Sequence, residues 1–241
     1  MIKKTILALA ALTAGVSAQA ADAAQASALS VTADISYVSH YVFRGLLAAE
    51  DSIQPSIEAT YGDFYAGVWN SNDLNSNATD GSETDLYAGY GYKVSESIKL
   101  DVGVTRYLYQ GQSSGDTTEL YVGASIDTLL KPSFYAYFDN EAGISGVATY
   151  TASVGHSIAL DIIGSSLDLT ALVGFVNRYD SQEYVYGVLS AAVPYKLSEN
   201  ATLTVGVDYV ANDDDQIDGV NTLDGGSVDE VVYKVGLAIG F

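Results

Sequence analysis

The sequence is 241 residues long, carries a net charge of −20 and uses Gly 23 times and Tyr 19 times. A chain this acidic argues against nucleic acid as a partner, and against electrostatic docking on anionic lipid head groups. It has no Cys, which excludes a disulfide framework and a thiolate metal site.

Residues 1–20 have the pattern of an export signal that is removed from the mature protein. Lys3 and Lys4 precede an apolar run at 6–14 that is too short to cross a bilayer as a helix. Ala18-Gln19-Ala20 is a small-x-small cleavage site, and a second such triplet leaves cleavage after Ala26 open. We predict a signal peptide over 1–20, a short periplasmic segment over 21–29 and one domain over 30–241.

From residue 30 onward, apolar and polar residues alternate with the period of two that is typical of β-strands. The first strand is predicted over 30–44, with Tyr41 and Phe43 on its apolar face and Arg44 on its polar face. The other predicted strands cover residues 53–61, 64–70, 85–94, 98–109, 119–127, 132–138, 148–158, 167–177, 183–195, 201–210 and 229–241. The alternation loses phase in 183–195, which predicts a β-bulge or a misplaced boundary there.

The connections between these strands are alternately longer and short. This pattern is typical of a transmembrane antiparallel up-and-down β-barrel, here of about 12 strands, with both termini in the periplasm. The last strand ends on Phe241, as the closing strand of an outer-membrane barrel usually does, and Phe241 and Tyr233 are the predicted assembly signal. The alternative for this strand alone is the edge of a soluble sandwich. The export signal, the loop pattern and the small polar residues of the second face favour an apolar face turned to lipid.

The polar face of the predicted strands carries more acids than bases. The predicted pore charges are Arg44, Glu58, Asp34, Asp85, Asp101, Glu119, Lys93 and Lys99, and by phase Asp127, Asp168, Asp208, Glu230 and Lys234 join them. Glu50, Asp51, Asp73, Asp80 and Glu83 are assigned to outer loops. An open lumen of this composition is expected to prefer cations. Arg44 is predicted to pair with Glu58 on the next strand.

Other chemistry finds little support in the sequence, and we predict no enzyme activity, cofactor or metal site. The sequence has no phosphate-binding loop, no zinc-protease motif and no nucleophile elbow. His156 is predicted to face lipid without a Ser at a readable spacing, which disfavours a barrel phospholipase, and His40 is predicted beside Arg44. The Tyr residues are predicted to form interfacial girdles and to line part of the lumen, and a sugar-stacking platform is a less favoured alternative.

The last loop is rich in Asp. It departs from the EF-hand pattern, because the twelfth position counted from Asp214 is Gly225 and not Glu. A solvated acidic loop is the favoured interpretation. The alternative is loose divalent-cation binding by Asp213, Asp214, Asp215 and Asp218.

Five segments together resemble the TorF family of porins. They are Ser39–Gly45, Pro55–Glu58, Phe64–Asn72, Thr84–Tyr90 and, more loosely, Glu119–Ser125. The resemblance covers most of the chain after the signal, and the acidic last loop has no counterpart in it. It implies a Gram-negative outer-membrane barrel with channel activity.

The sequence therefore predicts an outer-membrane porin for the passive diffusion of small solutes, with a preference for cations. The alternative is a structural or adhesive barrel whose lumen is plugged and whose acidic loops are the working surface. The expected partners are outer-membrane lipid, lipopolysaccharide, the barrel-assembly machinery and small solutes or ions.

Overall fold

The computed structural model describes residues 29–74, 82–109, 116–139, 147–177, 183–213 and 229–241. The predicted signal peptide and the loop residues Asp80, Asp214, Asp215 and Asp218 lie outside these ranges. The described residues form β1 (Leu29–Val38), β2 (Tyr41–Phe43), β3 (Leu46–Ala49), β4 (Ser52–Tyr61), β5 (Phe64–Asp73), β6 (Glu83–Lys93), β7 (Ile98–Tyr109), β8 (Thr117–Ile126), β9 (Ser133–Asp139), β10 (Ala148–Leu160), β11 (Ser165–Asn177), β12 (Glu183–Lys196), β13 (Ala201–Asn212) and β14 (Asp229–Gly240).

Twelve of these strands form a closed antiparallel barrel, as the sequence predicts. Each strand from β4 to β14 pairs with the next, and β1 closes the circle by pairing with both β14 and β4. At the seam, the Phe241 N–H donates to the Val31 carbonyl at 2.8 Å. Closure leaves no unpaired sheet edge, which is the condition for a β-structure to stand in hydrocarbon.

The two ends of the barrel differ. Connections of two to six residues join the wall strands at one end, which we call the short-turn end. Connections of 5 to 16 residues join them at the other, which we call the loop end. The start of β1 and the end of β14 pair at the short-turn end. The alternation of short and long connections expected from the sequence is confirmed.

The apolar face of the wall points outward. On β14, Val235 and Tyr233 are exposed, whereas Val232 and Lys234 are buried inside. Such a wall, apolar outside and polar within, is the fold of a transmembrane β-barrel. Among the described residues, none belongs to a helix long and apolar enough to cross a membrane.

The first strand is shorter than predicted, because β1 ends at Val38. The chain then forms a separate hairpin of β2 and β3, which we call the inner hairpin. Its two-residue turn is Arg44-Gly45, with φ of 50° and 80°. Two consecutive left-handed residues make a tight hairpin turn of the type that matches strand twist, so the chain reverses where period two alone extends it.

Neither the β-bulge nor the misplaced boundary predicted for 183–195 is found, since β12 covers Glu183–Lys196. The pairing of β12 with β11 and with β13 runs without a register shift. The alternation loses phase because the inward residues Tyr184, Tyr186 and Val188 are themselves apolar and buried. They pack against the inner hairpin, so both faces of β12 are apolar near the loop end.

Candidate pore constriction

The inner hairpin lies inside the barrel at its loop end. Tyr41 reaches β6, where its hydroxyl donates to Glu83 Oε2 at 2.9 Å, and its ring lies 5.4 Å from that of Trp69 on β5. On the opposite side, Asn212 Nδ2 of β13 donates to the Gly45 carbonyl at 2.7 Å. The hairpin therefore crosses the lumen from one wall to the other.

One face of the hairpin is apolar and packs on the wall formed by β11 to β14. Val42 and Leu47 of the hairpin belong to a buried cluster with inward side chains of these strands, namely Val176, Tyr184, Tyr186, Val188, Val210 and Val232. A Cβ on Gly45 would stand 2.5 Å from Cβ of Tyr186, so only Gly fits at this approach. Burial of these side chains supplies the hydrophobic free energy that holds the hairpin inside.

The tip of the hairpin carries Arg44 into a polar pocket on the other side. Arg44 Nη2 donates to Glu119 Oε1 of β8 at 2.7 Å, and Nη1 donates to Thr149 Oγ1 of β10 at 2.9 Å. The guanidinium carbon lies 4.8 Å from the ring centroids of both Phe43 and Tyr137. A guanidinium keeps its charge in proteins, and a charge-assisted bond between two groups this buried is among the stronger ones.

Further acids line the wall beside Arg44. Glu83, Asp85 and Glu119, which we call the acidic wall, are 5%, 2% and 4% exposed. Tyr107 adds a hydroxyl that donates to Glu119 Oε1 at 3.1 Å. Glu119 pairs with Arg44, whereas Glu83 and Asp85 hydrogen-bond to each other. Because a hydrogen bond between two carboxyl groups needs a proton on one of them, the acidic wall carries two negative charges against the one positive charge of Arg44.

Below the hairpin, toward the short-turn end, tyrosines and acids cover the wall of β4 to β9. Tyr65 donates to Asp101 Oδ1 at 2.9 Å, and Tyr87 donates to Glu58 Oε2 at 3.2 Å. Tyr65 lies over the inward face of Gly89, its directly paired neighbour, so that a Cβ on that Gly would meet the hydroxyl at 2.2 Å. The same arrangement recurs at Tyr87 over Gly67, Tyr121 over Gly103, Tyr135 over Gly123 and Tyr186 over Gly174.

The opposite wall carries a buried ion pair near mid-barrel. Lys234 Nζ of β14 lies 2.6 Å from Asp208 Oδ2 of β13, and both side chains are 3% exposed. Farther along the same wall, inward side chains of β10 and β11 are largely small and polar, such as Ser153 and Thr170. The wall of β10 to β14 is therefore less crowded below the hairpin than the tyrosine wall.

Most of the predicted pore charges lie inside the barrel, but not all of them lie on its wall. Asp34, Glu58, Asp85, Asp101, Glu119 and Lys99 lie on the inward faces of their strands. Arg44 is inside as well, but on the hairpin and not on a wall strand. Lys93 sits at the short-turn end, 3.4 Å from Glu96. His40 lies inside near Arg44, with Nδ1 3.9 Å from Glu230, and His156 is exposed on the outer surface.

Three assignments from the sequence are corrected. Arg44 pairs with Glu119 and not with Glu58, because the hairpin carries it across the lumen instead of along β1. Tyr41 and Phe43 face the interior and not lipid, for the same reason. Glu83 is the buried first residue of β6 and not a loop residue.

Sequence reasoning also missed Thr149, Tyr107 and Tyr137, which complete the surroundings of Arg44. Each looks like an ordinary strand residue. A signal did exist for the hairpin itself, because Val176, Val210 and Val232 are apolar residues on otherwise polar faces. Such residues need an apolar partner inside the barrel, and the hairpin is that partner.

The comparisons with known proteins concern both sequence and fold. The family model described as "Bacterial protein of unknown function (Gcw_chp)" matches residues 22–236. The NanC porin is similar in structure, with a TM-score of 0.55 and 15% identity, over 88% of this chain and 99% of that chain. So is the KdgM porin, solved in complex with disordered oligogalacturonate, with a TM-score of 0.56 and 12% identity over 88% and 99% of the two chains. No curated protein sequence matches the chain.

Proposed function

Because the chain belongs to the Gcw_chp family of bacterial proteins of unknown function and shares the porin fold, we propose that it is an outer-membrane channel for the passive diffusion of small solutes. The observation that carries this proposal is the closed 12-stranded barrel with an apolar outer surface and charged side chains within. A barrel of this size encloses more space than small side chains fill, which suits an aqueous path.

The inner hairpin is the constriction of this path. Hairpin contacts reach from β5 and β6 on one side of the lumen to β13 on the other. We infer that a solute crossing the loop end passes beside Arg44 and the acidic wall. The excess of buried carboxylates supports a preference for cations, since a low-dielectric wall with charge of one sign concentrates the opposite ion. The protein performs no chemistry on the solute.

The same fold supports a proposal for the location and the partners. We place the short-turn end and both termini in the periplasm, the outer surface of the barrel in lipid, and the loop end beside lipopolysaccharide in a Gram-negative outer membrane. The resemblance to the TorF porins supports this placement. Phe241 and Tyr233 remain the proposed signal to the barrel-assembly machinery, and Asp213 to Asp218 the alternative site of loose divalent-cation binding.

A second candidate function is a structural or adhesive barrel with a plugged lumen. The specific observation in its favour is the hairpin itself, whose residues Tyr41, Val42, Leu47 and Ala49 are all buried inside the barrel. In this case the loops would be the working surface, and solute passage would not occur.

Conductance in planar bilayers separates the two candidates. Refolded protein at 1 M and 0.1 M KCl should give discrete single-channel steps, and a salt gradient should give a reversal potential of cationic sign. The preference should weaken at high salt, because the Debye length falls from about 10 Å to about 3 Å between those concentrations. Absence of steps at any voltage, with the barrel fold confirmed by circular dichroism, would favour the plugged barrel.

A further inference from the structure

The pocket around Arg44 has the chemistry of a guanidinium-binding site. It offers a carboxylate from Glu119, a hydroxyl from Thr149 and the ring face of Tyr137, from three different strands. Phe43 supplies a second ring on the hairpin side. A planar cation that donates several hydrogen bonds and stacks on aromatic rings matches this set, whereas a compact ammonium ion matches it less well.

Arg44 is held in this pocket by a separate segment, much as a bound ligand would be. It lies at the tip of a two-residue turn, and its φ of 50° is one that residues other than Gly, Asn and Asp seldom adopt. The wall strands supply the carboxylate and the hydroxyl, and they would keep both if the hairpin left. The pocket is thus a feature of the barrel, and Arg44 is its tethered occupant.

The acids around the pocket carry more negative charge than Arg44 neutralises. Glu83 and Asp85 are buried and hydrogen-bond to each other, and in the described part of the chain no base bonds to either of them. Both belong to the wall that faces Tyr41 and Arg44. A hydrogen bond between two carboxyl groups needs a proton on one of them, so the pair keeps one buried negative charge. A second positive group beside the guanidinium would stabilise this charge.

From these contacts we propose that the constriction is a recognition site for organic cations that carry a guanidinium group, and that Arg44 is its internal ligand. A solute of this class competes with Arg44 for Glu119 and Thr149 and so loosens the inner hairpin. A second cationic group on the solute meets Glu83 and Asp85. As the solute class of a channel this rests on the proposed function, but the binding site itself does not.

The test uses Trp69, the only Trp of the chain, whose ring packs 5.4 Å from Tyr41 of the hairpin. In Arg44→Ala the pocket is empty and the hairpin has lost its anchor, so the Trp69 emission should shift toward that of a wetter site. Guanidinium chloride at low millimolar concentration should fill the pocket, and sodium chloride at equal ionic strength is the control. Circular dichroism confirms that each variant retains the barrel.

Agmatine, which has a guanidinium and an amine, tests whether a second cationic group of the solute binds Glu83 and Asp85. It should bind Arg44→Ala about tenfold more tightly than guanidinium, because one added charge-assisted contact is worth roughly that factor. The Glu83→Gln/Asp85→Asn pair in the same background should remove this advantage while guanidinium affinity changes little. In the wild type, half-saturation should need more agmatine than in Arg44→Ala, because tethered Arg44 competes for Glu119 and Thr149.

The outcomes separate the site from the channel. Equal effects of guanidinium and sodium on Arg44→Ala, or undiminished guanidinium binding when Glu119→Gln is added, would overturn the proposed site. Since Trp69 fluorescence is read in detergent without any current, a protein that binds agmatine but shows no conductance would keep the site and lose the channel. Conductance without agmatine binding would support the channel and overturn the binding site.

Discussion

Among single residues, Arg44 determines the charge of the constriction. It is the one base beside the three acids of the acidic wall in the described structure, and its guanidinium bonds to Glu119 at 2.7 Å. Removing it leaves Glu119 buried and unpaired, which costs about 3–5 kcal/mol unless the hairpin moves and lets water in. We therefore expect the hairpin position and the proposed ion preference to be coupled through this one side chain.

We expect Arg44→Ala to increase cation preference and to raise conductance, because a positive charge and an anchor are lost together. Arg44→Lys is the matched control, since it keeps the charge but cannot form the planar fork that reaches both Glu119 and Thr149. Reversal potentials under a salt gradient measure the effect. An unchanged potential in Arg44→Ala would show that this charge does not govern the path.

The packing of inward tyrosines over glycines can be tested by adding a side chain at one of the glycines. Ala at Gly89 should destabilise the barrel by about 1–3 kcal/mol, because the new Cβ displaces Tyr65 from Asp101 and Tyr121. Ala at Gly155 is the control, since its Cβ would meet only ordinary contacts at 3.5 Å or more. Urea unfolding from lipid vesicles compares the two, and equal stabilities would contradict this account of the packing.

At the scale of the strands, the sequence predicts the wall well and the hairpin poorly. Period two identifies all 12 wall strands, because each has one face in an apolar environment and one in a polar environment. It fails at 39–51, where Tyr41, Val42 and Phe43 continue the pattern of β1 but turn into the lumen. The reversal of the chain between β2 and β3 depends on Arg44 at positive φ. This conformation is uncommon for Arg and cannot be predicted from the residue type.

The candidate site is predicted only in part, for a related reason. Glu119 and Asp85 follow from the phase of their own strands. Their partners do not, because the pairing of Arg44 with Glu119 spans 75 positions and depends on where the hairpin is placed. The apolar Val176, Val210 and Val232 and the lost phase of β12 are local signals of that placement, and an apolar hairpin inside the barrel explains them.

The closing strand allows a prediction about assembly. Phe241 pairs through its backbone with Val31, in bonds of 2.8 and 3.3 Å, and its side chain is exposed on the outer surface. Deleting Phe241 should lower the outer-membrane yield, because it removes the last pair of the seam and the proposed assembly signal. Phe241→Tyr, which keeps an aromatic terminus, should be tolerated. Normal yield of the truncated protein in membrane fractions would contradict the prediction.

For the molecule as a whole, two adjacent residues can test which face of the barrel wall contacts lipid. Val235 is exposed on the outer face, while the inward Gly236 faces Ser36. Val235→Arg should cost about 2–4 kcal/mol near the bilayer midplane, whereas Gly236→Ser should cost much less. Folding equilibria in vesicles measure both, and equal tolerance would mean that lipid does not contact the face assigned to it.

The barrel and its inner hairpin together define the function proposed here, a porin-like path narrowed at the loop end. The wall keeps its own closure and pairing without the hairpin, since β1 bonds directly to β4 from Val38 and Ser52 onward. The hairpin can therefore be replaced by a short Gly/Ser turn between these two strands without interrupting the barrel. This separates the contribution of the constriction from that of the wall.

The most direct test is the single-channel conductance of this shortened variant beside that of the wild type, in the same bilayer and salt. We expect small cation-preferring steps for the wild type and steps several times larger for the variant. Its ion preference should be weaker, because the passage beside the acidic wall is wider without the hairpin. Equal conductances would contradict the hairpin as the constriction. Silence of both proteins, with the barrel intact, would contradict the channel itself.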